Sequence, residues 1–141
     1  MLYVYSMKTK PENRHVLIAS DEEILQMTLL KAFQRTDYQV YSAKDGLEAL
    51  YLVKTFSVTE KPFNLLLVDS QLPKLSCLEL FQQLRKLEIY TSAIIITSPN
   101  QKKLEQKLRS IEKNSIIKRP FLVNDLLNIV EQVFENISGA R

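Results

Sequence analysis

Apolar and polar positions fall into two alternating kinds of block along this chain. Short apolar runs with no helical spacing cover His15–Ala19, Tyr38–Ala43, Phe63–Val68, Ala93–Thr97 and Ser115–Lys118. Runs of this length and composition predict strands, and the most continuous of them predict strands buried on both faces. Between them, apolar residues recur every three or four positions, which predicts amphipathic helices. The first helix carries Leu25, Leu29, Ala32 and Phe33, and the second Leu47, Leu50, Tyr51 and Val53. The third, over about residues 75–87, carries Leu80, Leu84 and Leu87; the fourth, over 101–111, carries Leu104, Leu108 and Ile111. A fifth runs from Val123 to about Phe134. The first helix is predicted to begin at Asp21, with Glu22 and Glu23 in a first turn where acids complement the helix dipole. Five strand-then-helix repeats predict an α/β fold: a parallel five-stranded sheet with helices on both faces.

Composition narrows the chemistry. The chain has 141 residues, enough for one domain with a real core, and a net charge of +3, too mild to indicate nucleic acid. Cys77 is the only cysteine, which fits a reducing compartment, and His15 the only histidine. Two glycines, Gly46 and Gly139, cannot build a glycine-rich phosphate loop, which excludes P-loop and dinucleotide sites. No apolar run approaches the ~18 residues of a membrane span, and a cytoplasmic location is expected. Residues 1–13 read as a tail, or as an extra edge strand or partner-binding arm, followed by a domain over 14–136 and a tail over 137–141.

The polar residues at the strand ends carry the functional signal. In open parallel sheets, functional groups gather beyond the carboxyl ends of the strands. Asp21 follows the first strand, Asp69 closes the third, Thr97 closes the fourth, and Lys118-Arg119-Pro120 ends the fifth. Two carboxylates, a hydroxyl and a cation on one rim suit a Mg²⁺-dependent phosphoryl-acceptor site.

From Arg14 to Glu135 the chain resembles the receiver domains of two-component response regulators, those of the chemotaxis regulators included. The resemblance is carried by Ser20-Asp21-Glu22, by Ala43-Lys44-Asp45-Gly46-Leu47-Glu48-Ala49-Leu50, by Asp69 with Pro73, by Thr97 and by Arg119-Pro120-Phe121. It implies a flavodoxin-like doubly wound fold with strand order 2-1-3-4-5. It also implies phosphorylation of Asp69 by a histidine kinase or phosphotransfer protein. Thr97 and Arg119 would contact the phosphoryl group, and Asp21, Asp69 and the Gln71 carbonyl would bind Mg²⁺. Arg119–Pro120 would be a cis peptide. Such a protein is a signalling domain rather than an enzyme, whose only chemistry is its own phosphorylation and dephosphorylation.

Three departures from the family pattern stand out. Ser20 replaces the first acid of the usual pair, and Arg119 replaces the lysine before the proline. Lys118 lies one residue early, on the opposite strand face. Ile116 stands where an aromatic residue usually reports the state of the site, and its β-branched side chain is stiff, so a blunted switch is expected. Weaker Mg²⁺ binding is expected from Ser20. Glu22 either compensates for the missing acid or only stabilises the first helical turn, the reading preferred here.

The function expected is that of a stand-alone receiver that accepts phosphate and signals by protein contacts. The downstream partner would meet the face of the fourth helix, fifth strand and fifth helix, where Lys102, Lys103, Lys107 and Arg109 form a basic stripe. A homodimer is compatible with that face; neither membrane nor direct nucleic-acid binding is expected. The alternative is an atypical receiver that works as a phosphorylation-independent binding module. An aspartyl-nucleophile phosphatase is remote, since it needs Asp-x-Asp after the first strand.

Overall fold

The computed structural model describes residues 14–111 and 114–139. The expectations for residues 1–13 fall outside that range. Five strands and five helices alternate: β1 (His15–Ala19), α1 (Glu23–Phe33), β2 (Gln39–Ala43), α2 (Gly46–Ser57), β3 (Leu65–Asp69), α3 (Cys77–Lys86), β4 (Ser92–Thr97), α4 (Lys102–Arg109), β5 (Asn114–Lys118) and α5 (Val123–Gly139). All strand pairings are parallel, in the order β2-β1-β3-β4-β5 expected from the family resemblance.

Burial follows position in the sheet. Every residue of β1 and β3 is buried, as is all of β4 except Ser92, while the edge strands β2 and β5 are largely half-buried or exposed. The central strands are apolar on both faces because helices cover both. On one face Leu17, Leu66, Val68 and Ile95 meet Val53 of α2, Leu80 and Leu84 of α3 and Leu108 of α4. On the other, Val16, Ile18, Leu67 and Ile96 meet Leu29 and Phe33 of α1 and Leu126, Val130 and Phe134 of α5. Each such aliphatic side chain contributes about 1.5–3 kcal/mol by leaving water.

Several element ends differ from the sequence expectation. α1 begins at Glu23, with Glu22 as an extended N-cap residue whose side chain makes no cap hydrogen bond. That carboxylate is engaged elsewhere, as the site shows. α5 continues to Gly139, so residues 137–139 are helical rather than a tail. In α2 the buried residues are Gly46, Ala49 and Val53, whereas Leu47 and Tyr51 face solvent. Small residues line the inner face because α2 lies so close to the loop after β3. A Cβ on Gly46 would sit 1.9 Å from the Leu75 carbonyl oxygen. The Gly46 N–H donates to the Pro73 carbonyl at 3.1 Å, locking the two loops together.

The loops at the carboxyl rim are well tied. Asp45 caps α2 by accepting from the Glu48 N–H at 2.8 Å, and that bond, with Lys74 nearby, holds its pKa below the usual carboxylate value. Ser76 and Glu79 form a reciprocal capping box at the start of α3. Such caps fix where each helix begins, and so where the site loops sit.

Candidate functional site

Parallel register brings the carboxyl ends of β1, β3, β4 and β5 to one rim. Ala19 pairs with Val68, Asp69 with Ile96, and Thr97 with Lys118. Asp69 is therefore the last residue of the central strand, only 2% exposed. A carboxylate buried to that degree needs charged or hydrogen-bonding partners.

It has three. The Ser20 hydroxyl donates to Asp69 Oδ2 at 2.9 Å, the Gln71 N–H donates to Oδ1 at 3.0 Å, and Arg119 Nη2 donates to Oδ2 at 2.8 Å. Arg119 Nη1 in turn reaches Glu22 Oε1 at 2.6 Å. The Glu22 N–H donates to Ser20 Oγ at 3.1 Å, so Glu22 orders both groups that meet on Oδ2. A closed circuit results: Asp69 to Arg119 to Glu22 to Ser20 and back to Asp69. Partial burial works against the Arg119 charge, but the hydrogen bond to Glu22 and the charge of Asp69 outweigh it and hold the pKa above its ordinary value. Glu22 thus anchors Arg119 from the N-cap position, and the preference for a first-turn role is corrected.

Alternation along the fifth strand separates the two basic residues. Arg119 turns to Asp69, while Lys118 Nζ lies 3.6 Å from Glu105 Oε1 of α4. Thr97 is fully buried, and its hydroxyl donates to Glu105 Oε2 at 3.4 Å. Asp21 is exposed at the same rim. The Arg119–Pro120 peptide is cis.

Sequence reasoning missed two residues. Gln26 of α1 donates through Nε2 to the Ser20 and Ala43 carbonyls, each at 2.9 Å, pinning the ends of β1 and β2. Glu105 is buried between Thr97 and Lys118. Neither carried a signal: each sits beside an apolar stripe, where a polar residue normally reads as solvated. Cys77 is buried near Asp69; burial, and then the Asp69 charge, push its thiol up to about 12, so it stays protonated.

The donors for a metal are right in kind. Mg²⁺ takes oxygen ligands, one or two of them carboxylates, and keeps several waters. Asp21, Asp69 and the Gln71 carbonyl fit that description. Among the described residues, however, no three His, Cys, Asp or Glu side chains cluster as a metal cage. The Arg119 guanidinium already sits on Asp69 Oδ2. Any metal here shares Asp69 with a fixed cation.

Comparison with known proteins gives the family and the fold. The family described as "Response regulator receiver domain" matches residues 16–131. Sporulation initiation phosphotransferase F of Bacillus subtilis is 23% identical over 85% of this chain and 93% of its own length. The probable chemotaxis protein CheY of Rhizobium etli is 26% identical over 87% of this chain and 94% of its own. The alkaline phosphatase synthesis transcriptional regulatory protein PhoP of Bacillus subtilis is 34% identical over 63% of this chain and 35% of its own length. The transcriptional regulator YkoG of the same organism matches over 49% of its length, so the chain spans a third to a half of these two regulators. Among solved structures, a CheY-like receiver domain protein of Methanospirillum hungatei superposes with a TM-score of 0.80 at 20% identity, covering 91% of this chain and 98% of the other.

Proposed function

This chain belongs to the response regulator receiver family of two-component signalling, and on that premise we propose that Asp69 accepts a phosphoryl group from a histidine kinase or a phosphotransfer protein. An Asp69 carboxylate oxygen attacks phosphorus. The bond from phosphorus to the donor's imidazole nitrogen breaks, its electron pair leaves with the imidazole, and Asp69 becomes an acyl phosphate. Transfer of this kind passes through a loose transition state, in which positioning and charge neutralisation matter most. Arg119 supplies a permanent positive charge that can move from Oδ2 to the phosphoryl oxygens, and Thr97 supplies a hydroxyl donor. Receiver domains in general use Mg²⁺ for phosphorylation; here Asp21, Asp69 and the Gln71 carbonyl would hold it, and it would neutralise charge on the transferring group. The phosphotransferase named among the relatives, aligned over nearly its whole length, supports a phosphoryl-transfer role.

Output is assigned to the face of α4, β5 and α5. Lys102, Lys103, Lys107 and Arg109 are exposed there, and the fitting partner is an acidic protein surface.

The observation that carries the reading is Asp69 itself, buried at the end of the central strand and held by a hydroxyl, an amide and a guanidinium. Incubation with acetyl phosphate and Mg²⁺ should add the mass of one phosphoryl group, and Asp69→Ala should abolish the gain. Labelling that persists in the variant overturns the assignment. The Arg119–Asp69 pair also favours a second reading, because it neutralises the acceptor without phosphate or metal. Absence of any mass gain in the wild type would favour that phosphorylation-independent binding module.

A further inference from the structure

The buried side of α4 holds an anomaly. Of its eight residues, Leu108 and Glu105 are the two buried ones. A glutamate only 7% exposed is rare unless it is paired, since desolvation of a carboxylate is costly. Both of its oxygens are spoken for. Oε1 faces Lys118 at 3.6 Å, and Oε2 accepts from the Thr97 hydroxyl at 3.4 Å. Lys118 is itself more than half exposed, so its hold on Glu105 is shared with water.

We propose that Glu105 is a positioning residue that holds the Thr97 hydroxyl in the resting protein and passes the state of Asp69 to α4. The inference rests on Asp69 being the phosphoacceptor. A hydroxyl carries one proton and donates to one acceptor at a time. At 3.4 Å the bond to Glu105 is long for an O–H donor, whose usual distance is about 2.7–2.8 Å, so it is given up easily. Thr97 follows Ile96, which pairs with Asp69 in the sheet, so the hydroxyl belongs to the same rim as the acceptor. A phosphoryl group on Asp69 carries close to two negative charges and competes with the Glu105 carboxylate for the Thr97 proton. When the Thr97 proton turns to it, Glu105 keeps Lys118 alone. A buried carboxylate with one distant partner is relieved by drawing Lys118 inward or by moving α4 toward water. Lys118 and Arg119 are adjacent in sequence and bind Glu105 and Asp69 on opposite strand faces, so both ends of this link sit on one dipeptide. Stiff Ile116 then need not move for α4 to respond.

The test uses beryllofluoride with Mg²⁺ as a phosphoryl mimic, titrated by amide NMR into the wild type, Glu105→Leu, Thr97→Val and the double variant. Glu105→Leu should bind the mimic about fivefold more tightly, the worth of one competing hydrogen bond. The effect should vanish in the Thr97→Val background, a result that loss of helix packing would not produce. Wild-type shifts should extend through residues 102–109 and Lys118. Glu105→Gln, which keeps the shape of the side chain, should move affinity in the same direction by less and serves if the leucine variant folds poorly. Unchanged affinity in the Glu105 variants, or an equal effect with and without Thr97, overturns the inference and leaves the phosphoacceptor reading standing. A wild type that neither binds the mimic nor gains phosphoryl mass overturns both.

Discussion

Glu22 and Arg119, separated by 97 residues in sequence, meet Oε1 to Nη1 at 2.6 Å at the Asp69 site. Arg119 stands where the family pattern has a lysine, and Glu22 directly follows the positions of the acidic pair, Ser20 and Asp21. The charge lost at Ser20 reappears two residues later, directed at the guanidinium. Arg119 therefore has two anionic partners, one buried and one half-exposed.

This asymmetry predicts unequal costs. Glu22→Gln removes a solvent-exposed partner and should cost less than ~1 kcal/mol in urea melts. Arg119→Met strips the buried Asp69 carboxylate of its cation and should cost about 1–3 kcal/mol. Equal costs would mean that Arg119 owes its place to Glu22 alone.

Ser20→Asp sets two carboxylates against each other, because Ser20 is buried and its hydroxyl now donates to Asp69. The variant should melt lower than wild type in EDTA and gain more stability per added Mg²⁺, since a second acid both repels Asp69 and tightens the metal site. A metal response no larger than the wild type's would show that Mg²⁺ does not sit between β1 and β3.

Cys77 predicts an alkaline loss of stability. Its thiol is raised in the folded state from 9.0 to about 12, chiefly by burial. The folded pKa lies above the unfolded one, so the contribution is complete below pH 9 and is lost between 9 and about 12, as the unfolded chain releases a proton the folded chain keeps. Tyr38, raised by burial and by its hydrogen bond to Glu131, works in the same direction. Denaturant midpoints should fall across that window, and Cys77→Ala should make the fall shallower. An identical slope in the variant would show that the thiol ionises freely in the fold.

Gly46→Ala should destabilise by about 1–3 kcal/mol or more, since overpacking against a rigid group forces the backbone to shift. The new Cβ would meet the Leu75 carbonyl oxygen at 1.9 Å, a contact with main chain rather than a flexible side chain. A melting temperature within a degree of wild type would mean that the loop after β3 yields freely.

The periodic signal was enough for the alternation of strands and helices, while the strand order came from the family resemblance. β1, β3 and β4 were legible because a strand covered on both faces must be apolar throughout. Asp69 and Thr97 were legible because a polar group ending such a strand has no packing reason to be there. The opposite facing of Lys118 and Arg119 followed from the two-residue period of a strand. Tertiary structure alone decided the partners. Which carboxylate meets Arg119 depends on how the ends of β1 and β5 approach across the sheet, a distance no local pattern encodes. Glu22 carries the same local signal whether it serves a helix dipole or a guanidinium. Glu105 looks like a surface residue until the packing of α4 against β4 and β5 turns it inward. Leu47 and Tyr51 follow a helical spacing that suggests burial, yet α2 packs with Gly46 against Leu75, so that Ala49 joins Val53 in the core while Leu47 and Tyr51 face solvent. Periodicity fixes the type of an element from its own residues; which side faces in, and which distant charge it meets, depends on the packing of the others.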